Sequence, residues 1–286
     1  MQGVKTLEKE NICPANPNWN TRFKRYAFAD SLNGDLCNAF RDAEGLLMQS
    51  ELIKNSRSTT AGIFDFDGKK YFIKRSNVNS LSERLRRIGR MPRSTRNMLA
   101  AAKLSEINIL TPKVYMSLET GHFLLPGASY LITEAFEQPI TVGGNMAALH
   151  ERFNGTENFA KTICSMVIKM HCCGMTHGDL KMNNILTLKT ADGNFRFGLF
   201  DLDGMLWHGS SCPEDMIISE VARMASSYCL LGRYCNMFDE SKFAEYLRIW
   251  SKAYAAAGGK DYTDNRIYWR RIAKFMPGYN IQELQQ

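Results

Sequence analysis

The stretch His177-Gly178-Asp179-Leu180-Lys181-Met182-Asn183-Asn184-Ile185-Leu186, followed downstream by Phe200-Asp201-Leu202-Asp203-Gly204, decides how the rest of this chain is read. It places an aspartate, an asparagine five positions later and a second aspartate beyond a short intervening segment. That is what phosphoryl transfer asks of a protein. One carboxylate accepts or orients the proton of an acceptor hydroxyl, while an amide oxygen and another carboxylate hold magnesium against nucleotide phosphates. Asp179 then takes the role of base, Asn184 and Asp201 those of metal ligands, and Asp203 that of a second or alternative ligand. The apolar run Ile185-Leu186-Thr187-Leu188, the turn Ala191-Asp192-Gly193-Asn194 and the run Phe195-Arg196-Phe197-Gly198-Leu199-Phe200 predict a β-hairpin that returns Asp201 to the neighbourhood of Asn184.

Together with the lysine of Tyr71-Phe72-Ile73-Lys74-Arg75 and the arginine-rich stretch after it, these segments resemble the bacterial lipopolysaccharide core-sugar kinases. Members of that family phosphorylate inner-core heptose or Kdo and have a protein-kinase-like fold. The resemblance runs from about Lys69 to Leu231. Gly178, where protein kinases carry arginine, points to the branch that acts on small molecules and glycans. The resemblance implies an α+β, two-lobed fold: a small β-rich lobe with an N-terminal extension over residues 1–136, and a larger, mainly helical catalytic lobe over 137–286. It further implies ATP and Mg2+ as cofactors and a lipopolysaccharide core glycolipid as acceptor. Lys74 would hold phosphates, His177 would support the loop as a structural residue, and Lys181 would assist it.

Composition agrees with an anionic partner. Among 286 residues, a formal charge of +7 suits a nucleotide, a phosphorylated glycan, an anionic membrane surface or nucleic acid. The kinase reading removes nucleic acid from that set, and no obligate protein partner is evident. Met1 to Asn20 has no apolar core of the signal-peptide kind, and no run approaches the roughly 18 apolar residues of a membrane span. The expectation is a cytoplasmic protein whose membrane contact is peripheral, on the cytoplasmic face of the inner membrane. Eight cysteines form no Cys-x-x-Cys pair, so they read as buried cytosolic thiols, and His171-Cys172-Cys173 falls at a helix end with no second pair of ligands.

Taken in order, residues 1–50 carry turn signals at Asn16-Pro17-Asn18 and Leu32-Asn33-Gly34-Asp35, and Arg41 to Ile53 reads as a short helix or a strand lead-in. Asp67-Gly68 between two β-rich runs predicts a hairpin that puts Lys74 on its second strand. No glycine-rich phosphate loop precedes it. Ser56, Arg57, Ser58 and Thr59 stand in that place, and their hydroxyls, amides and guanidinium would have to cover the phosphates. The densest positive charge follows, and Arg84, Arg86, Arg87 and Arg90 interleave with Leu85, Ile88 and Met91, which reads either as a solvated basic face or as an amphipathic acceptor or membrane surface. A helix is expected from Thr95 to about Ile107, with Ser94 as N-cap and Asn97, Ala101 and Leu104 facing inward. Kinase-like small lobes pair the strand lysine with a glutamate on this helix, and here the inward position carries Asn97. Leu124-Leu125-Pro126-Gly127 and Ser129 to Glu134 suggest two further strands, leading to a segment Glu134-Ala135-Phe136 whose backbone would bind adenine.

In the larger lobe, apolar stripes predict three helices: Phe159, Ile163, Val167 and Met170, ending at 171–174; Ile217, Val221, Met224 and Tyr228; and Phe243, Leu247, Trp250 and Tyr254. A last helix is expected around Arg266 to Phe275, whose Arg266, Arg270, Arg271 and Lys274 read as an exposed face, with glycan or membrane contact as the second reading. Two other readings use the same residues. One is a kinase of another small molecule or protein, against which the arginine segment argues; the other is a nucleotide-binding pseudokinase module, which the joint presence of Lys74, Asp179, Asn184 and Asp201 disfavours.

Overall fold

The computed structural model describes residues 8–10, 22–29, 32–78, 80–122, 125–136, 141–190 and 192–280. The chain divides into two units, Met1–Ala102 with Pro112–Phe136, and Lys103–Thr111 with Glu137–Gln286. Asn16-Pro17-Asn18, Cys13, Leu124 and Ala191 lie outside the described residues.

The first unit is built on an antiparallel sheet of β1 (Glu8–Glu10), β2 (Arg22–Phe28), β3 (Glu51–Asn55), β4 (Thr59–Phe66), β5 (Lys69–Ser76), β6 (Val114–His122) and β7 (Leu125–Glu134). Their order is β1-β2-β6-β7-β5-β4-β3. The β4–β5 hairpin turns at Asp67 (φ 51°) and Gly68 (φ 70°), the two positive angles that the Asp-Gly pair predicts. Alternation along β5 sends Tyr71 and Ile73 into the core and Lys74 to the opposite face. The core face is closed by α1 (Gly34–Phe40) and α2 (Ala43–Gln49), whose Phe40, Ala43 and Leu47 are buried in it. The Phe40 ring meets Tyr71 edge-on at 5.1 Å and Phe64 at 6.0 Å. At the rim of that face, Glu44 accepts from the Tyr130 hydroxyl and from Arg75, each at 2.5 Å. Burial, reinforced by the Glu44 charge, pushes the Tyr130 phenol well above its usual range.

Several local expectations are corrected. Leu32-Asn33-Gly34-Asp35 starts a helix, because the Asn33 side chain accepts from Leu36 N at 2.8 Å and caps α1. Arg41 to Ile53 holds both alternatives in succession, α2 and then β3. Between α3 (Leu81–Arg87) and β6, helix α4 spans Arg93–Glu106 and so begins two residues before Thr95. Ser94 is not its cap: its hydroxyl donates to the Leu118 carbonyl at 3.4 Å. The two strands expected after residue 124 are one, β7. Proline within it is tolerated because the register slips opposite Pro126, between Glu119 and Gly121.

The second unit contains α5 (Met146–Arg152), α6 (Thr156–Cys172), β8 (Met175–Thr176), β9 (Ile185–Lys189), β10 (Phe195–Leu199), β11 (Leu206–Trp207), α7 (Glu214–Tyr234), α8 (Phe243–Ala256) and α9 (Arg266–Phe275). The predicted stripes of α6, α7 and α8 form its core, except that Ile217 is half-buried. Trp250 meets Phe159 at 6.0 Å and Tyr228 at 5.2 Å. The β9–β10 hairpin is in register from Ile185↔Leu199 to Lys189↔Phe195, and Leu199 N donates to the Leu110 carbonyl at 2.8 Å. Gly198 is needed there because a Cβ would collide with that carbonyl. Cys164 and Cys229 are the buried thiols expected, pushed up by desolvation, whereas Cys172, Cys173 and Cys235 are exposed. Among the described residues no helix is long and apolar enough to cross a membrane.

Removing the Phe40 ring from the sheet core leaves a cavity, so Phe40→Ala should lower stability by about 3–5 kcal/mol in urea unfolding. A loss below about 1 kcal/mol would show that α1 is not part of the small-lobe core.

Candidate functional site

Two short strands set the site. β8 ends at Thr176 and pairs with β11, Leu206 opposite Thr176 and Trp207 opposite Met175. The loop after β8 and the loop before β11 therefore run side by side. Gly178 is where they touch: its φ is +81°, and a Cβ there would strike the Gly204 carbonyl. Glycine after the histidine is thus a steric requirement. His177, fully buried, fastens the same two loops. Asp179 N donates to its Nδ1 at 3.3 Å, so Nδ1 is unprotonated and Nε2–H donates to the Phe200 carbonyl at 3.1 Å. The expected structural role follows from that geometry.

Asp179 is held on both oxygens. Oδ2 receives Lys181 Nζ at 3.0 Å and Asn184 Nδ2 at 3.2 Å, while Oδ1 is paired with the Arg223 guanidinium. Asn184 Nδ2 also donates to the Asp179 carbonyl at 2.9 Å, which closes the five-residue loop on itself. Beneath it, α7 presents three polar side chains at i, i+3 and i+7, all on one face. Glu220 accepts from Gly178 N, Arg223 pairs with Asp179, and Ser227 Oγ accepts from Met182 N at 3.0 Å. Glu220 is itself buried and fixed from behind, its second oxygen 2.9 Å from His171 Nε2, with His171 Nδ1 2.8 Å from the Tyr254 hydroxyl. The backbone of 178–182 is therefore gripped along its length.

The metal residues are brought together by the hairpin. Phe200 N donates to the Asn184 carbonyl at 3.2 Å, which sets Asp201 beside Asn184 at the strand ends. Asp201 lies in the left-handed region (φ 59°, ψ 51°), an uncommon conformation for a residue with a side chain, and Asp203 follows in a single turn of 3-10 helix, Leu202–Gly204. Both Asn184 Nδ2 bonds leave its Oδ1 outward as an acceptor. Among the described residues no three His, Cys, Asp or Glu side chains gather as a metal site. Two carboxylates and an amide oxygen are a donor set that could hold magnesium, which shares its remaining positions with phosphate oxygens and water.

In the first unit, Lys74 pairs in register with Leu131, and Leu131 with Ser117; directly opposed residues share a face of the sheet. Ser117 Oγ lies 3.3 Å from Thr95 Oγ1 at the start of α4, so Lys74 occupies the face against which α4 is laid. Asn97, on the next turn, is buried as expected. Glu106 is exposed and pairs with Lys103 at 2.9 Å, and Glu83 pairs with Arg87 at 3.1 Å. Ser56 to Thr59 form the β3–β4 turn. The Ser56 amide and hydroxyl both bond the Thr59 carbonyl, at 2.8 and 3.0 Å, which leaves Arg57 and Ser58 as its exposed members. Glu134 ends β7, and its N–H is taken by the Lys113 carbonyl at 2.8 Å; Ala135 and Phe136 follow half-buried. On α3, Arg87 is anchored to the Asn77 carbonyl at 3.1 Å, and Arg86 and Arg90 are exposed. Leu81, Leu85, Ile88 and Met91 beside them expose 62%, 53%, 49% and 50% of their surface.

Sequence reasoning missed Glu220, Arg223 and Ser227. They flank the apolar stripe of α7, and a glutamate three residues before an arginine reads as a solvated ion pair. It also passed over Leu206 and Trp207, large apolar residues left exposed immediately after the metal loop.

A model of the lipopolysaccharide kinase (Kdo/WaaP) family matches residues 42–205, more than half of the chain. A comparison with curated proteins finds no match. Among solved structures, WaaP in complex with acyl carrier protein aligns with a TM-score of 0.56 at 16% identity, over 87% of this chain and 93% of that one. At that identity the likeness speaks for a shared kinase-like fold.

Because Glu220 satisfies a buried backbone amide and a buried imidazole at once, Glu220→Ala should cost about 3 kcal/mol or more and speed hydrogen exchange at Gly178 and Asp179 at least tenfold. Unchanged protection of those amides would remove α7 from the support of the loop.

Proposed function

This chain belongs to the lipopolysaccharide kinase (Kdo/WaaP) family, and from that premise we propose that it transfers the γ-phosphoryl group of ATP to a hydroxyl of an inner-core sugar, heptose or Kdo. The observation that carries this reading is the Asp179 loop, a carboxylate held by Lys181 and Asn184 one residue beyond a glycine packed against the metal segment. The acceptor oxygen bonds to the γ-phosphorus as the bond to the β,γ-bridging oxygen breaks; ADP departs, and the hydroxyl proton passes to the Asp179 carboxylate. Asn184 Oδ1, Asp201 and Asp203 would hold magnesium, which would supply neutralisation of the charge that spreads over the phosphate oxygens. Lys181, free to leave Asp179 for the transferring group, offsets the same charge from the loop. In the small lobe Lys74 holds nucleotide phosphates, oriented by the neutral amide of Asn97 in place of a glutamate. Arg57 and Ser58 cover the phosphates, and the main chain at Glu134 to Phe136 receives the adenine. The exposed ring of Trp207 offers the flat apolar face on which sugar C–H groups pack.

The arginines and exposed apolar side chains of α3 and its continuation suit an anionic, lipid-linked acceptor at the inner-membrane surface. The same surface chemistry suits an acidic carrier protein, and the solved WaaP holds an acyl carrier protein.

Asp179→Asn should lower transfer to a core glycolipid by about 10²- to 10⁴-fold with nucleotide affinity retained, whereas Lys74→Ala should act chiefly on ATP use. Near wild-type turnover of Asp179→Asn, read by mass spectrometry of the glycolipid, would remove it as the base. Replacing Arg84, Arg86, Arg87 and Arg90 together should abolish most sedimentation with anionic vesicles at low salt, since each basic residue near such a surface contributes about 1 kcal/mol. Equal sedimentation of variant and parent would make the segment a solvated face; a carrier-protein arm run alongside separates the two partners.

A further inference from the structure

Arg223 is not required to neutralise Asp179. Lys181 already holds Oδ2 at 3.0 Å, so the pairing of Arg223 with Oδ1 leaves one carboxylate facing two cations. The two differ in how they are mounted. Lys181 extends from the loop itself on a flexible stem, whereas Arg223 projects from the middle of α7 with its guanidinium carbon 5.0 Å from the centre of the Phe275 ring. Stacking on a ring occupies the flat face of a guanidinium and leaves its in-plane N–H groups directed outward. Its Nη2 forms the ion pair with Asp179 Oδ1. Among the described residues, no further partner claims the rest, and the side chain is 35% exposed beside a carboxylate that is 31% exposed. A planar fork of donors, held rigidly, desolvated on one side and open on the other, is the chemistry that recognises a carboxylate or a phosphate.

Resting on the kinase reading above, we propose that Arg223 is the specificity-determining residue for the acceptor: it bridges the Asp179 carboxylate and an anionic group carried by the acceptor sugar. Anchoring that group on a cation ion-paired with Asp179 fixes the sugar so that a neighbouring hydroxyl faces the carboxylate. The division of labour follows from the mounting, with the mobile Lys181 available to the phosphate being transferred and the fixed Arg223 to the acceptor. A neutral sugar with the same hydroxyl would bind without that anchor and present it poorly.

The test compares matched acceptors: Kdo with its methyl ester, and a heptose phosphate with the free heptose, which separates carboxylate from phosphate recognition. Wild type should favour one anionic member over its neutral partner by about 10- to 100-fold in kcat/KM, the worth of one charge-assisted hydrogen-bonded contact. Arg223→Gln should bring that ratio to about 1, and Arg223→Lys should restore part of it, with thermal unfolding checked for both. A purely structural hold on Asp179 would lower both members of a pair alike, so a ratio unchanged in Arg223→Gln overturns the proposal. If wild type phosphorylates none of the four, the kinase reading fails separately. Binding of both pairs by NMR titration then reads Arg223 without turnover, and equal affinity of wild type for the anionic and the neutral member of each pair overturns the inference on its own.

Discussion

The site depends on a buried carboxylate gripping a loop from below. Glu220 takes the Gly178 amide with one oxygen and His171 with the other, and His171 is backed in turn by the Tyr254 hydroxyl. A chain of polar contacts at near-zero exposure is stable only if every member is paired, and then it is stiff. That stiffness is transmitted to Asp179 through the adjacent peptide. It is reinforced a turn later by Arg223 and two turns later by Ser227, so that one face of one helix determines where the Asp179 carboxylate stands. His177 completes the hold from the other side by tying the loop to the Phe200 carbonyl. In phosphoryl transfer, which is mostly positioning and charge compensation, such contacts would supply the positioning.

Much of this was legible in the sequence. The spacing of Asp179, Asn184 and Asp201 foretold their convergence, because a hairpin of the observed register returns the chain to where it left. Helical stripes of large apolar residues identified α6, α7 and α8, since a stripe at 3.6-residue period has to be buried. Asp67-Gly68 located the β4–β5 hairpin through backbone angles that few other residues accept. What the sequence concealed were side chains whose role comes from a distant segment. Glu220 and Arg223 look like any charged pair on a helix surface until the 178–182 loop is laid over them. Ser94 looks like a cap until the Leu118 carbonyl takes its hydroxyl. Asn33 shows the converse, a residue common to turns and helix starts alike, resolved by its bond to Leu36 N.

The departures from the wider kinase pattern share a theme. Turn residues 56–58 replace glycines, Asn97 stands where a glutamate would neutralise Lys74, and glycine replaces arginine before Asp179. The third removes a cation from the catalytic loop, while Arg223 returns one from α7. Charge is thus redistributed around the same chemistry. A cation delivered from a helix is fixed in space, and a fixed cation can select an acceptor as well as neutralise a phosphate.

The central claim is that these loops move a phosphoryl group from ATP to a core sugar. The most direct measurement is 31P NMR of the purified protein with ATP, magnesium and a dephosphorylated inner-core oligosaccharide or glycolipid. The account predicts a new sugar phosphomonoester resonance that grows in step with ADP, with little orthophosphate. ADP formed only together with orthophosphate, or no loss of ATP with any core acceptor, would contradict it.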